Sequence, residues 1–118
     1  DRHRLSAYNK SPLGMGFLSG KHRANAQFPA SDVRSSDWVK ETFQKPADAN
    51  LAAIRDILTS GGRSLVQGSL AWLWARSPRN LPIPGIRTVA QAEENARAMA
   101  FGPLGADLLA RIDQLLGR

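Results

Sequence analysis

Apolar residues recur at helical spacing in four stretches of the chain and take an extended form in two others. Leu51, Ile54 and Leu58 fall at i, i+3 and i+7, which predicts an amphipathic helix, and Gly61-Gly62 ends the run. Ser64 stands in the N-cap position of a second helix, whose inward stripe is Val66, Leu70 and Leu73, thickened by Ala71, Trp72 and Trp74 and stopped by Ser77-Pro78. Thr88 with Gln91 has the form of a capping box, and Val89, Ala92, Ala96 and Met99 predict one packed face up to Gly102-Pro103. Leu108, Ile112 and Leu115 mark a last helix before Gly117.

The extended pieces are Leu5-Ser6-Ala7-Tyr8 and Leu81-Pro82-Ile83-Pro84, the second because proline fixes its own φ and biases the preceding residue toward β geometry. After the first, two glycines and a proline in Ser11-Pro12-Leu13-Gly14-Met15-Gly16 are expected to leave a backbone-rich loop without a regular element. From Ser19 to Pro46 the chain is polar and aperiodic, and a loop of that length in a compact domain is usually a functional lid or disordered. The predicted order is strand, loop, helix, helix, strand, helix, helix.

Length and composition narrow the picture. At 118 residues the chain has room for one core, and 42% hydrophobic with 22% charged residues is a soluble composition with no apolar run of membrane-spanning length. With no cysteine, a disulfide frame is excluded and a reducing, cytoplasmic setting is compatible. The start at Asp1 suggests a fragment or a processed chain, and no secretory signal is visible. A formal charge of +6 admits phosphates, acidic surfaces or nucleic acid, but the basic residues are dispersed, which argues against a nucleic-acid face. His3 and His22 have no partner at ligand spacing, so no metal site is expected.

The chemistry concentrates between Leu81 and Asn95. Gly85 permits close backbone approach to a ligand, and a capped helix begins within three residues, its free N–H groups favouring an anion. Arg87 at the helix entrance suits a phosphate or the face of an adenine. Gln91, Glu94 and Asn95, at i, i+3 and i+4, can address a ribose or a base edge. On its own this pattern also fits an ordinary capped helix with a polar side.

The run from Ser11 to Lys21, the pair Phe28-Pro29, the helix from Gln67 to Ala75, Pro82-Ile83-Pro84-Gly85 and Glu94-Asn95, in this order, together resemble the aldo-keto reductase family, from about Ala7 to Ile112. The resemblance implies an α/β fold, the carboxy-terminal portion of a (β/α)8 TIM barrel that is mostly helical in this fragment. Residues 1–118 then form a partial domain holding the last two strands, their helices and a terminal helix. It further implies a metal-free oxidoreductase using NADPH, less often NADH, to reduce aldehydes or ketones. The first loop is then expected along the cofactor pyrophosphate, with Ser11, Leu13, Gly14 and Gly16. Gly85, Ile86 and Arg87 are expected around the 2′-phosphate, and Gln91, Glu94 and Asn95 near phosphate, ribose and adenine.

Two departures from the family pattern stand out. The family places an aromatic ring for the nicotinamide immediately before Ser-Pro-Leu; here Lys10 has that position, and Tyr8 supplies the ring only if Asn9-Lys10 bulges. The family's catalytic Asp, Tyr, Lys and His lie on earlier strands, and no segment here matches them. The expected partner is therefore a small carbonyl substrate in the complete protein, and the alternative is a truncated, noncatalytic remnant with weak or no nucleotide binding. Trp72 and Trp74 are expected to pack, and Trp38 to lie in the long loop within reach of substrate.

Overall fold

The computed structural model describes residues 3–19, 27–37 and 49–118. His22, Trp38 and Pro46, to which the sequence drew attention, lie outside them. Among the described residues the regular elements are β1 (Ala7–Lys10), α1 (Ala49–Thr59), α2 (Leu65–Arg76), β2 (Asn80–Ile83), α3 (Val89–Phe101) and α4 (Ala106–Leu115), with short 3-10 turns at Gly14–Ser19, Val33–Ser35 and Ser60–Gly62. The predicted order of elements is recovered, with β1 two residues later in the chain than its apolar run suggested.

The two strands pair in parallel, Ala7 opposite Asn80 through Lys10 opposite Ile83. Parallel pairing needs a long crossover, which here contains α1 and α2. The pleat sends Asn80 toward α2, where its Nδ2 donates to the Leu73 carbonyl at 2.6 Å. The opposite face of the sheet, with Tyr8, Leu81 and Ile83, is exposed.

Helix α2 is the centre of the packing and has an apolar cluster on each side. One joins Ile57 and Leu58 of α1 and Ala71 of α2 to Leu104 and Ile112, with Trp72 against it; the other joins Val66 and Leu70 to Ala98 of α3, with Leu13 and Trp74 against it. The two tryptophans are thus packing residues, as expected. Covering on both sides explains why every residue from Val66 to Ala71 is buried, Gln67 and Ser69 included. Gly68 is required where α2 crosses α1, because a Cβ there would lie 2.0 Å from the Leu58 carbonyl oxygen.

Two expectations are corrected. Val89 and Met99 do not pack inward but are each 76% exposed, and Ala96 is exposed with them. The inward side of α3 carries half-buried Gln91, Ala92, Glu94 and Asn95 and fully buried Ala98. The small Ala98 side chain lets α3 approach α2 closely, and that contact, with the hydrogen bond from Gln67 Nε2 to the Glu94 carbonyl, outweighs the apolar stripe. The first loop is also more regular than expected, since Gly14–Ser19 forms a 3-10 turn interrupted at Met15 (φ 54°) and Gly16 (φ 94°).

Candidate functional site

The loop after β1 folds tightly on itself. The Gly14 N–H donates to the Ser11 carbonyl at 3.0 Å, and the N–H groups of Gly16 and Leu18 both donate to the Leu13 carbonyl, at 3.0 and 3.1 Å. Ser11 and Met15 hold φ of 52° and 54°, a left-handed conformation that costs a residue with a Cβ about 1 to 2 kcal/mol. The surrounding hydrogen bonds hold them there, so backbone rather than side chain forms the edge of the site.

The loop after β2 is set by the start of α3. Thr88 Oγ1 accepts from the Gln91 N–H at 3.2 Å, as the capping box predicts. The return bond differs from the usual box, because Gln91 Oε1 accepts from the N–H of Arg87 at 2.8 Å instead of from Thr88. Gln91 thereby fixes the Arg87 backbone, while the Arg87 guanidinium makes no hydrogen bond to the described residues.

These two loops and a third segment meet around one open cleft of about 510 Å³. The first loop contributes Ser11, Leu13, Met15, Gly16 and Ser19, the second contributes Gly85 and Arg87, and α3 contributes Gln91, Glu94 and Asn95, with Val66 of α2 also lining the cleft. Of the ten residues besides Val66, Ser11, Leu13, Gly16, Gly85, Arg87, Gln91, Glu94 and Asn95 were singled out from the sequence, whereas Met15 and Ser19 were not. Gly14 is buried behind the first loop and Ile86 is 58% exposed, and neither lines the cleft. Tyr8 does not line it either. The strand register runs unbroken through Asn9 and Lys10, so the bulge that would carry the ring forward is absent, and Tyr8 stays 72% exposed on the strand face.

The third segment, Asp32, Val33 and Arg34, was not foreseen. Asp32 caps the Val33–Ser35 turn by accepting from the Arg34 N–H at 3.0 Å, and its carboxylate takes the Arg34 side chain through Nε at 2.9 Å and an Nη at 2.6 Å. Arg34 also lies over the Phe28 ring, 4.2 Å from its centroid. The Arg34 side-chain bond, then its backbone bond, hold the Asp32 carboxyl well below the usual carboxylate range, and Arg87 adds to this electrostatically. The same pairing raises Arg34. An Asp-x-Arg triplet with an upstream aromatic was the available signal, but sequence alone does not say that a long polar loop returns to this cleft.

Asn95 lines the cleft, and its Nδ2 is buried without a hydrogen-bond partner among the described residues, although buried amide donors are normally satisfied. The cleft therefore offers the Asn95 side chain at its wall, a guanidinium without hydrogen bonds to the described residues, a carboxylate at Glu94 and exposed backbone at Gly85. That donor set fits a ligand carrying both a phosphate and a nitrogenous ring. A more open groove of about 460 Å³ between α1 and α4, with Asp56 and Arg111, holds none of the motif residues.

Residues 3–117 match the sequence profile of the aldo/keto reductase family. The chain belongs to that family. Among curated relatives of this aldo/keto reductase chain is the NADP(+) aldo-keto reductase yakc of Schizosaccharomyces pombe, 38% identical over 91 residues, or 75% of this chain and 26% of that protein. Aldo-keto reductase str7 of Strobilurus tenacellus is 31% identical over 93 residues, 77% of this chain and 27% of its own length. The chloroplastic pyridoxal reductase of Arabidopsis thaliana is 28% identical over 98 residues, 83% of this chain and 25% of its own. The chain thus spans about a quarter of the length of the curated relatives it matches. Its family is one of oxidoreductases. Among the described residues, no helix is long and apolar enough to cross a membrane.

Proposed function

We propose that this chain is the cofactor-holding, carboxy-terminal portion of a (β/α)8 reductase, and that its cleft takes the adenosine and phosphate end of NADPH. One observation carries the reading: two loops far apart in sequence converge on a single cleft lined by Asn95, whose Nδ2 is buried with no partner among the described residues. The NADP(+) in the name of the Schizosaccharomyces pombe relative supports the choice of cofactor.

Arg87 is the group for a 2′-phosphate, because its backbone is fixed by Gln91 and its guanidinium makes no hydrogen bond to the described residues. Ile86 beside it adds no side-chain donor. The first loop lays Ser11 and the Gly16 backbone along the opposite edge, where a pyrophosphate would run, and Asn95 with Glu94 addresses the adenine and ribose. The Asp32–Arg34 segment forms a strap on the third side.

The reduced nicotinamide, when bound, supplies a hydride to the carbonyl carbon of an aldehyde or ketone, and a proton to the oxygen completes the alcohol. The residues of this chain contribute binding and orientation to that reaction, and proton transfer falls to groups elsewhere in the protein. The exposed sheet face with Tyr8, Leu81 and Ile83 accords with a position inside a larger barrel.

Calorimetric titration with NADPH and NADH tests the reading. Saturable binding that favours NADPH is the expected result, and Arg87→Ala should weaken NADPH by about 1.5 to 3 kcal/mol while sparing NADH. Equal losses for both would remove the 2′-phosphate role, and no binding by the folded protein would leave the noncatalytic remnant as the better account.

A further inference from the structure

We propose that Gln67 is a positioning residue for this cleft, holding α3 at the rotation that sets Asn95 at its wall. The proposal rests on the reading of the cleft as a nucleotide site. Gln67 is only 8% exposed, and its carboxamide is used at both ends. Its Oε1 accepts from the Ser64 N–H at 2.9 Å, completing the capping box of α2, and its Nε2 donates to the Glu94 carbonyl of α3 at 3.2 Å. One side chain therefore links the N-terminus of α2 to the turn of α3 that carries Glu94 and Asn95.

A capping glutamine needs only its oxygen for the cap, so the second bond is what calls for explanation. Two constraints fix the roll of α3: Ala98, fully buried against Val66 and Leu70, and the Glu94 carbonyl, one turn earlier. With the packing contact alone, a helix face whose inward apolar side chains are only the small Ala92 and Ala98 can roll. At a side-chain radius of roughly 5 Å, a roll of about 10° displaces the Asn95 amide by about 1 Å. Misplacement on that scale is enough to cost much of a directed hydrogen bond, and among the described residues Asn95 Nδ2 has no partner that would hold it in place. Gln67 does not line the cleft itself, so its effect on a ligand must pass through α3.

The test separates capping from positioning in the full-length protein, with adenosine 2′,5′-bisphosphate as the probe in calorimetry and Tm followed in parallel. Ser64→Ala removes the side-chain half of the cap and leaves the Gln67–Glu94 bond. Gln67→Met keeps the length of the side chain and removes both of its bonds, whereas Gln67→Glu keeps the acceptor for Ser64 and removes the donor. Both Gln67 variants are expected to raise the Kd about tenfold, and Ser64→Ala to leave it within about twofold despite a lowered Tm. If Gln67→Met does not fold, Gln67→Glu carries the comparison. Wild-type affinity in the Gln67 variants, or a loss in Ser64→Ala as large as theirs, would overturn the positioning role while leaving the nucleotide site standing. Failure of the wild-type protein to bind the probe would overturn the nucleotide reading and this proposal together.

Discussion

At Asp32 one carboxylate serves three purposes: it caps a turn, pairs in two-point fashion with Arg34, and feels Arg87 electrostatically. The consequence is a testable pH dependence. Because the folded pKa lies below the unfolded value of about 3.9, the stability this group contributes is fully present above that value and is lost as pH falls through the lower folded pKa. A carboxyl NMR titration should find Asp32 still ionised at pH 3, and a midpoint at the ordinary value would mean that the strap is not formed in solution. Arg34→Lys should bring the midpoint back toward normal, since an ammonium cannot reproduce the fork or the contact with Phe28. At Gln91 the same scale shows why residue type alone misleads: a side chain that looks available to a ligand gives its oxygen to the Arg87 backbone.

Among the elements, α2 has the least freedom, because it packs against α1 and α4 on one side and α3 on the other. Gly68→Ala places a Cβ against the Leu58 backbone, which cannot rotate away as a side chain would. It should destabilise by about 3 kcal/mol, at the upper end of ordinary overpacking, and chemical denaturation would measure it; a loss below 1 kcal/mol would show that α1 shifts freely. Element type was legible wherever a local signal sufficed: Ser64, Gly61-Gly62 and Gly102 all mark helix ends in sequence and in structure. The inward face of α3 was not legible. Its stripe of Val89, Ala96 and Met99 is more apolar than its packed side, and the choice between them is made by Ala98 and Gln67, a tertiary contact that no single-helix pattern encodes. For the same reason eight residues of the cleft were found from motifs, and Asp32 and Arg34, brought in by a long loop, were not.

For the whole molecule, the balance between helices and sheet is uneven. The four helices close two apolar clusters around α2, whereas β1 and β2 have only each other among the described residues, and their outer edges are unpaired. A two-stranded sheet is marginal in water without further strands or a covered face, and here one face, with Tyr8, Leu81 and Ile83, is open. The apolar packing on α2 takes in Leu13 of the first loop but not the two strands from which both cleft loops spring. If the 118 residues are expressed alone, hydrogen exchange should be slowest for the amides of 66–71 and much faster for those of 7–10 and 80–83. If the proposed nucleotide site is right, affinity in the chain alone should be correspondingly weaker than in a complete barrel, because binding would have to order both loops as well as fill the cleft. Strand amides as protected as those of α2 would show that the two strands hold without neighbours, and on the proposed reading the chain alone should then bind nucleotide as tightly as a complete barrel.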